Sequence, residues 1–357
     1  MNTKFTLSIK AVGSFAVGIS LTAGISCFLV ACGGNSGGGD NSASTSLSTP
    51  STPSTPTGPT VTPGNLQTTV PTPTYAAGSQ ELVFYTAFNS FRQSLGLGLL
   101  AQNAKLDMAD QNHLKYLMTN TDLNLSSIDP VTGRPQFHIE DPQRPGFTGV
   151  QELDRANYTQ YGGVYVGEEG SYGSGQGSAK ALAGLIGGIY HRAGLMFQGP
   201  RDFGIAVGTD ALQTTVMTLG YVSTPQTNAS DFFGTYPQAN QTGVGLSASE
   251  ELPNPYPDLS NADLATKTGY PINVVSKENT TLTVTTFTVT EAGQSTPMEA
   301  RLFTAASDPN KELAANTAFL VAKISFKPNT GYTVNFVGTA NGTNVTKTWS
   351  FTTGTSN

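Results

Sequence analysis

The sequence predicts an α/β domain followed by an all-β domain, and three observations carry that prediction. Helical periodicity governs residues 82–118, a small-residue helical run leads into a Gly-rich strand pair over 202–222, and from Tyr270 onward the chain turns to short, β-branched alternating runs. By composition the chain divides into a presequence (1–31), a tether (32–78), an α/β domain (79–225), a polar Pro-rich connection (226–268) and a β-sandwich domain (269–357).

The presequence comes first. "MNTKFTLSIK" has two lysines and no acid, and "AVGSFAVGISLTAGISCFLV" is apolar or small throughout, which is the pattern of an export signal. It ends in "LVAC", with Leu29, Val30 and Ala31 before Cys32, and so resembles the lipobox of bacterial lipoproteins. That resemblance implies an acylated Cys32 that anchors the mature chain to a membrane. Cys27 follows Gly24, Ile25 and Ser26 and lacks that context. Both cysteines of the chain lie here, so a disulfide in the mature protein is excluded. From Gly33 to about Ala77 the Ser/Thr/Pro/Gly-rich sequence has almost no large apolar residues to offset its ordering entropy, and it is expected to be a disordered tether. Charged residues make up only 12% of the chain at a net charge of −6, which leaves no basic surface for a nucleic-acid partner.

The first helix is expected where Leu82, Phe84, Ala87, Phe88, Phe91 and Leu95 recur near helical spacing, stopped by Gly96 and Gly98. A second carries Leu106, Ala109, His113, Leu114, Leu117 and Met118. Thr121 to Gly163 reads as loop. A third helix, Ser178 to Arg192, is rich in Ala, Leu, Ile and Gly and should pack closely, and "DFGIAVG" with "TTVMTLGYV" reads as a hairpin. In the β part the runs are "PINVVS", "TLTVTTFTVT", "EARLFTA", "AFLVAKISF", "GYTVNFVGTA" and "KTWSFTT".

Several of these segments, taken in order, resemble the bacterial CAP family (SCP domain, cysteine-rich secretory protein family). "AFNSFRQSLGLGLLAQNAKLDMADQNHLKYL" is similar to its opening helices, "FHIEDPQRPGFTGVQELDRANYTQYGG" to its His loop, "VGEEGSYG" to its Gly-Glu-Asn segment, and "YHRAGLMFQGPRDFGIAVG" with "MTLGY" to its His-Arg helix end and closing strands. The likeness covers about Ser79 to Val222, and all three histidines fall on it. It implies a CAP-type α-β-α sandwich with a central cleft in which His138, His191 and Glu168 converge. Glu140 is the nearest candidate for a further acid, and Glu152 and Asp154 are later ones. A divalent cation such as zinc suits two imidazoles and a carboxylate and would leave an open position for water. His113 is expected as a satisfied histidine packed beside the cleft, the Asp154-Arg155 pair as shaping the loop, and Arg192 and Arg201 as surface or salt-bridging residues. Glu169 stands where the family's Asn usually does.

No nucleophile is evident: there is no Gly-x-Ser-x-Gly elbow and no mature thiol other than Cys32. "GSYGSGQGSAK" lacks the Gly-Lys-Ser/Thr ending of a P-loop and reads as a rim of the cleft. The C-terminal "ISFKPNTGYTVNFVGTANGTNVTKTWSFTT" resembles bacterial Ig-like modules, whose inter-sheet core Tyr332, Val334, Phe336, Trp349 and Phe351 would line. The expected function is that of an envelope-anchored lipoprotein binding a lipid, cell-wall fragment or protein in its His/Glu cleft. The alternatives are a divalent-metal-dependent hydrolase using the same cleft, and an adhesin or structural surface protein.

Overall fold

A five-stranded sheet organises the first part of the molecule, its strands ordered β1-β3-β5-β4-β2. The structure is a computed structural model and describes residues 5–7, 61–173, 177–209 and 213–356. The export signal beyond residues 5–7, the acyl site Cys32 and the tether as far as residue 60 lie outside the described residues. Residues 61–78, which the sequence assigns to the tether, contact the folded part. Asn65 bridges to Thr227, Leu99 N donates to Gln67 O at 2.8 Å, and the Tyr75 hydroxyl donates to Asp107 at 2.7 Å. A sequence that looks too polar to order itself is held here by hydrogen bonds to loops of the folded part.

In chain order the elements of this part are β1 (Phe5–Leu7), α1 (Gln80–Ser94), β2 (Ala101–Gln102), α2 (Ala104–Thr119), α3 (Glu152–Tyr158), β3 (Tyr165–Tyr172), α4 (Gly177–Gly187), α5 (Tyr190–Leu195), β4 (Asp202–Val207) and β5 (Thr215–Tyr221). A 3-10 turn at Gln136–His138 interrupts the long loop after α2. Alternation along β4 and β5 assigns their two faces. Phe203, Ile205, Met217 and Leu219 join Phe84, Phe88, Leu182 and Leu185 of α1 and α4, while Ala206 and Val216 join Leu114, Leu117 and Phe137. The sheet is thus covered by α1, α4 and α5 on one face and by α2, α3 and the 3-10 turn on the other, in agreement with the general α/β class.

The expected third helix is two. α4 stops at Gly187, and α5 begins at Tyr190. A Cβ on Gly187 would collide with Ser249 and one on Gly188 would crowd the Glu251 carboxylate, so the two glycines admit a segment from far along the chain. The helix α3 and strand β3 are additions to the reading by periodicity. The seven residues of α3 are too few to show a period, and its signal is the capping contact from the Gln151 backbone N–H to Asp154 Oδ2 at 3.0 Å.

The remaining elements are β6 (Phe233–Tyr236), α6 (Asn261–Lys267), β7 (Ile272–Ser276), β8 (Leu282–Glu291), β9 (Ala300–Thr304), β10 (Thr317–Ala322), β11 (Gly331–Ala340) and β12 (Thr343–Thr352). They form a four-stranded sheet, β6-β7-β10-β9, and a three-stranded sheet, β12-β11-β8. Tyr332, Val334, Phe336, Trp349 and Phe351 are buried, as the alternation predicts. The stretch 226–268 does more than connect, since it supplies β6 to the four-stranded sheet. One hydrophobic cluster runs from Phe84 in α1 to Phe351 in β12. Arg192 lies at the centre of this continuity. It is fully buried rather than at the surface, and its guanidinium sits 4.8 Å from the ring centroids of both Tyr236 and Tyr270 while donating to the carbonyls of Ile186 and Pro271. Carbonyl acceptors and aromatic faces are what a guanidinium buried in this way can pack against.

Candidate functional site

Strand β3 carries two successive glutamates, and a strand sends successive side chains to opposite faces. Glu168 enters the α2/α3 face. Its Oε1 accepts from His138 Nδ1 at 2.9 Å and its Oε2 from Arg155 Nη2 at 2.6 Å. Arg155 also donates to the His138 carbonyl at 3.1 Å, so the expectation that it shapes the His loop holds, with the added task of neutralising Glu168. Gly170, two residues on along the same face, leaves the space occupied by the Phe137 ring, with which any Cβ would collide; this absence lets the 3-10 turn press His138 against the strand.

His113 and Glu140 complete this network. His113 Nε2 lies 2.7 Å from the Phe137 carbonyl, which can only accept, so that nitrogen carries a proton, while Nδ1 faces Glu140 Oε1 at 3.0 Å. Glu140 further accepts the backbone N–H groups of Thr148 at 2.6 Å and Gly149 at 3.2 Å. His113 is therefore satisfied, as expected, and Glu140 pins the loop after it. Burial alone would raise the Glu168 carboxyl, but the charges of Arg155 and His113 and the His138 hydrogen bond outweigh it and hold the group well below the usual carboxylate range. Burial lowers His138, against the opposing pull of Glu168. Glu152, a later candidate for the cleft acid, pairs instead with Arg134 at 2.5 Å. Asp154 caps α3.

Glu169 enters the other face and meets His191. Glu169 Oε2 lies 3.7 Å from His191 Nε2, and neither of its oxygens has a hydrogen-bond partner among the described residues. Burial, then the charges of Glu251 and Glu168, raise Glu169 well above the carboxylate range. His191 Nδ1 lies 3.2 Å from Glu251 Oε2, and burial lowers this imidazole against the pull of that acid. The Glu251 carboxylate also accepts the N–H groups of Ile189 at 2.6 Å and Tyr190 at 2.8 Å, capping the start of α5. Sequence reasoning missed Glu251 because it lies in the Pro-rich stretch 226–268. The available signal was the Gly187-Gly188 pair, which marks a close approach on a helix otherwise made to pack.

The single cleft of His138, His191 and Glu168 is therefore not what the fold assembles. Consecutive positions in a strand cannot serve one side, and His138 takes Glu168 while His191 takes Glu169 and Glu251. The residues do not fit a zinc ion held by that trio. Both Glu168 oxygens are committed to His138 and Arg155, and among the described residues no group of three or more His, Cys, Asp or Glu side chains is arranged to hold a metal ion. His113, His138, His191, Glu140 and Glu169 are 0% exposed and Glu168 is 1% exposed. Cavities of about 350, 270 and 250 Å³ lie elsewhere, and none of these six residues lines them. No helix among the described residues is long and apolar enough to cross a membrane.

No protein-family model matches the chain, and no curated protein matches it. Among solved structures, an outer surface protein from Borrelia burgdorferi shows a weak likeness at 13% identity and a TM-score of 0.33, covering 42% of this chain and 97% of that one.

Proposed function

We propose that this chain is an envelope-anchored binding protein that turns over no substrate: a CAP-like α/β scaffold carrying an Ig-like β-sandwich, tethered through an acylated Cys32. Of the expected readings, the adhesin or structural surface protein fits best, and ligand capture inside a His/Glu cleft fits less well. The observation that supports it is the burial of every histidine together with its acidic partner. A general base must come within hydrogen-bond reach of the proton it takes, and a metal-bound water needs an open coordination position. His138 and His191 instead spend Nδ1 on glutamates inside a closed core. Buried, hydrogen-bonded networks of this kind fix a structure.

The test uses the full chain. Isothermal titration with zinc, and incubation with peptide and glycan substrates with and without zinc, are expected to give neither stoichiometric binding nor turnover. Turnover that disappears in His138→Ala or His191→Ala, in protein that still unfolds cooperatively, would restore the hydrolase reading. Cys32→Ala is expected to release the protein from the membrane fraction.

A further inference from the structure

The three-stranded sheet presents its inner face to the core and its outer face to solvent. In β11 the outward residues are Thr333, Asn335, Val337 and Thr339. The register sets Thr290, Thr288, Thr286 and Thr283 of β8 beside them in turn. On the other side it sets Ser350, Thr348, Thr346 and Asn344 of β12. The result is a grid of four rows and three columns with no charged side chain and a single aliphatic one. Lys347 faces the other way, opposite Phe336. All these residues are exposed or partly exposed.

Part of the grid is ordered by hydrogen bonds within it. Thr283 and Thr339 share a hydrogen bond of 2.6 Å, Thr333 and Ser350 one of 3.0 Å, and the Thr348 hydroxyl donates to Asn335 Oδ1 at 2.8 Å. Each pair holds its members in one rotamer, and β-branched side chains are already stiff at χ1, so little side-chain entropy remains to be lost on binding. Neighbouring columns stand about 4.8 Å apart and successive rows about 6.7 Å apart, as pleated strands dictate. Strong β-propensity by itself explains threonines in strands. It does not explain a solvent face without a charge, because solvent-facing strands, edges above all, ordinarily use lysine and other charges against unwanted pairing.

We propose that this face is a binding surface for a neutral, repeating polyhydroxyl polymer, a β-linked polysaccharide chain. Every hydroxyl of the grid can both donate and accept, which matches sugar hydroxyls. The threonine methyl groups offer apolar contact to the C–H faces of pyranose rings. A polyanion finds no countercharge here, and an apolar protein surface finds only Val337. A periodic partner engages several rows together, so weak contacts add through effective concentration. The inference rests on the adhesive reading above and names the class of ligand.

The experiment measures retention of the full chain on suspended chitin and cellulose. Retention is expected, with at least a tenfold loss for the Thr286→Lys/Thr346→Lys double variant and none for Thr296→Lys, an exposed position off the grid. Retention unchanged in the double variant overturns the proposal while leaving the adhesive reading in place. Retention by neither polymer also overturns it. If sedimentation shows a wild-type dimer that the double variant abolishes, the occupant is a second copy and the proposal is wrong. Hydrolysis of either polymer would instead defeat the adhesive reading itself.

Discussion

Glu168 and Glu169, neighbours in β3, send their carboxyl groups to opposite faces of one sheet, and their surroundings push the two away from the usual carboxylate range in opposite directions. Glu168 accepts from Arg155 and His138, which favour its ionised form, whereas Glu169 has no hydrogen-bond partner among the described residues and lies near two other acids, which favour its protonated form. One dipeptide thus anchors the His138 loop on one face and lies against His191 of α5 on the other.

The Glu168–Arg155 pair is fully buried, and removing one member leaves an uncompensated charge in the core. Arg155→Met should cost about 3–5 kcal/mol in urea unfolding. Arg155→Met combined with Glu168→Leu should recover part of that loss, because no charge is then stranded. A double variant as unstable as the sum of its singles would show that the two side chains do not act as a pair.

The two acids also oppose each other in pH dependence. Glu168, depressed in the folded state, contributes stability that is present above the unfolded carboxylate value of about 4.3 and is lost as pH falls. Burial keeps His138 and His191 neutral when unfolded histidines protonate below about 6.5, so they too lose stability on acidification. Glu169 is raised, so the folded state binds the extra proton and its contribution declines as pH climbs above about 4.3. Glu169→Gln keeps the shape without the titration. Relative to wild type it should gain stability as pH rises above about 4.3, at up to about 1.4 kcal/mol per pH unit. Urea midpoints at pH 5, 6 and 7 measure this, and a difference that does not change with pH rules it out.

Much of the fold was legible in the residues. The periodicity of α1 and α2, the β4/β5 hairpin and the strands from Ile272 onward follow directly from apolar spacing, because each buries one face against a core. The site was legible only in part. All three histidines and Glu140, Glu168 and Arg155 do meet acids, carbonyls or loops, but which acid meets which histidine depends on the parity of positions along β3, and no strand was assigned there. Glu251 was hidden because its contact with His191 spans 60 residues and leaves no local pattern. Arg192 was misplaced at the surface because nothing near it in sequence shows that Tyr236 and Tyr270 will close over it.

Glu251 holds the start of α5 from outside the helix. It accepts the backbone N–H groups of Ile189, Tyr190 and His191 and faces the His191 ring, and these buried donors have no substitute when the carboxylate is removed. Glu251→Ala should destabilise by about 2–4 kcal/mol, since each orphaned buried group costs roughly 1–3 kcal/mol. Amide exchange at Ile189 and Tyr190 should rise more than at the centre of α4. Equal changes at both places would mean that the residue supports the whole fold rather than this helix start.

Arg192 tests whether the α/β and β parts unfold together. Its guanidinium donates to Ile186 O at the end of α4 and to Pro271 O and Asn273 Oδ1 of the β part, and it sits between Tyr236 and Tyr270. Arg192→Met keeps much of the stem's apolar contact but abandons three hydrogen bonds to buried acceptors and the cation–aromatic contacts to Tyr236, Tyr270 and Phe319. The loss should reach about 3 kcal/mol or more, because carbonyls on both sides are left without donors. More telling than the magnitude is the form of the transition. Wild type, with one hydrophobic cluster running through both parts, should unfold in a single step. The variant should unfold in two, with tryptophan fluorescence, which reports Trp349 in β12, departing from the helical circular-dichroism signal that reports α1, α2 and α4. Coincident transitions in the variant would mean that the shared apolar core couples the two parts without Arg192.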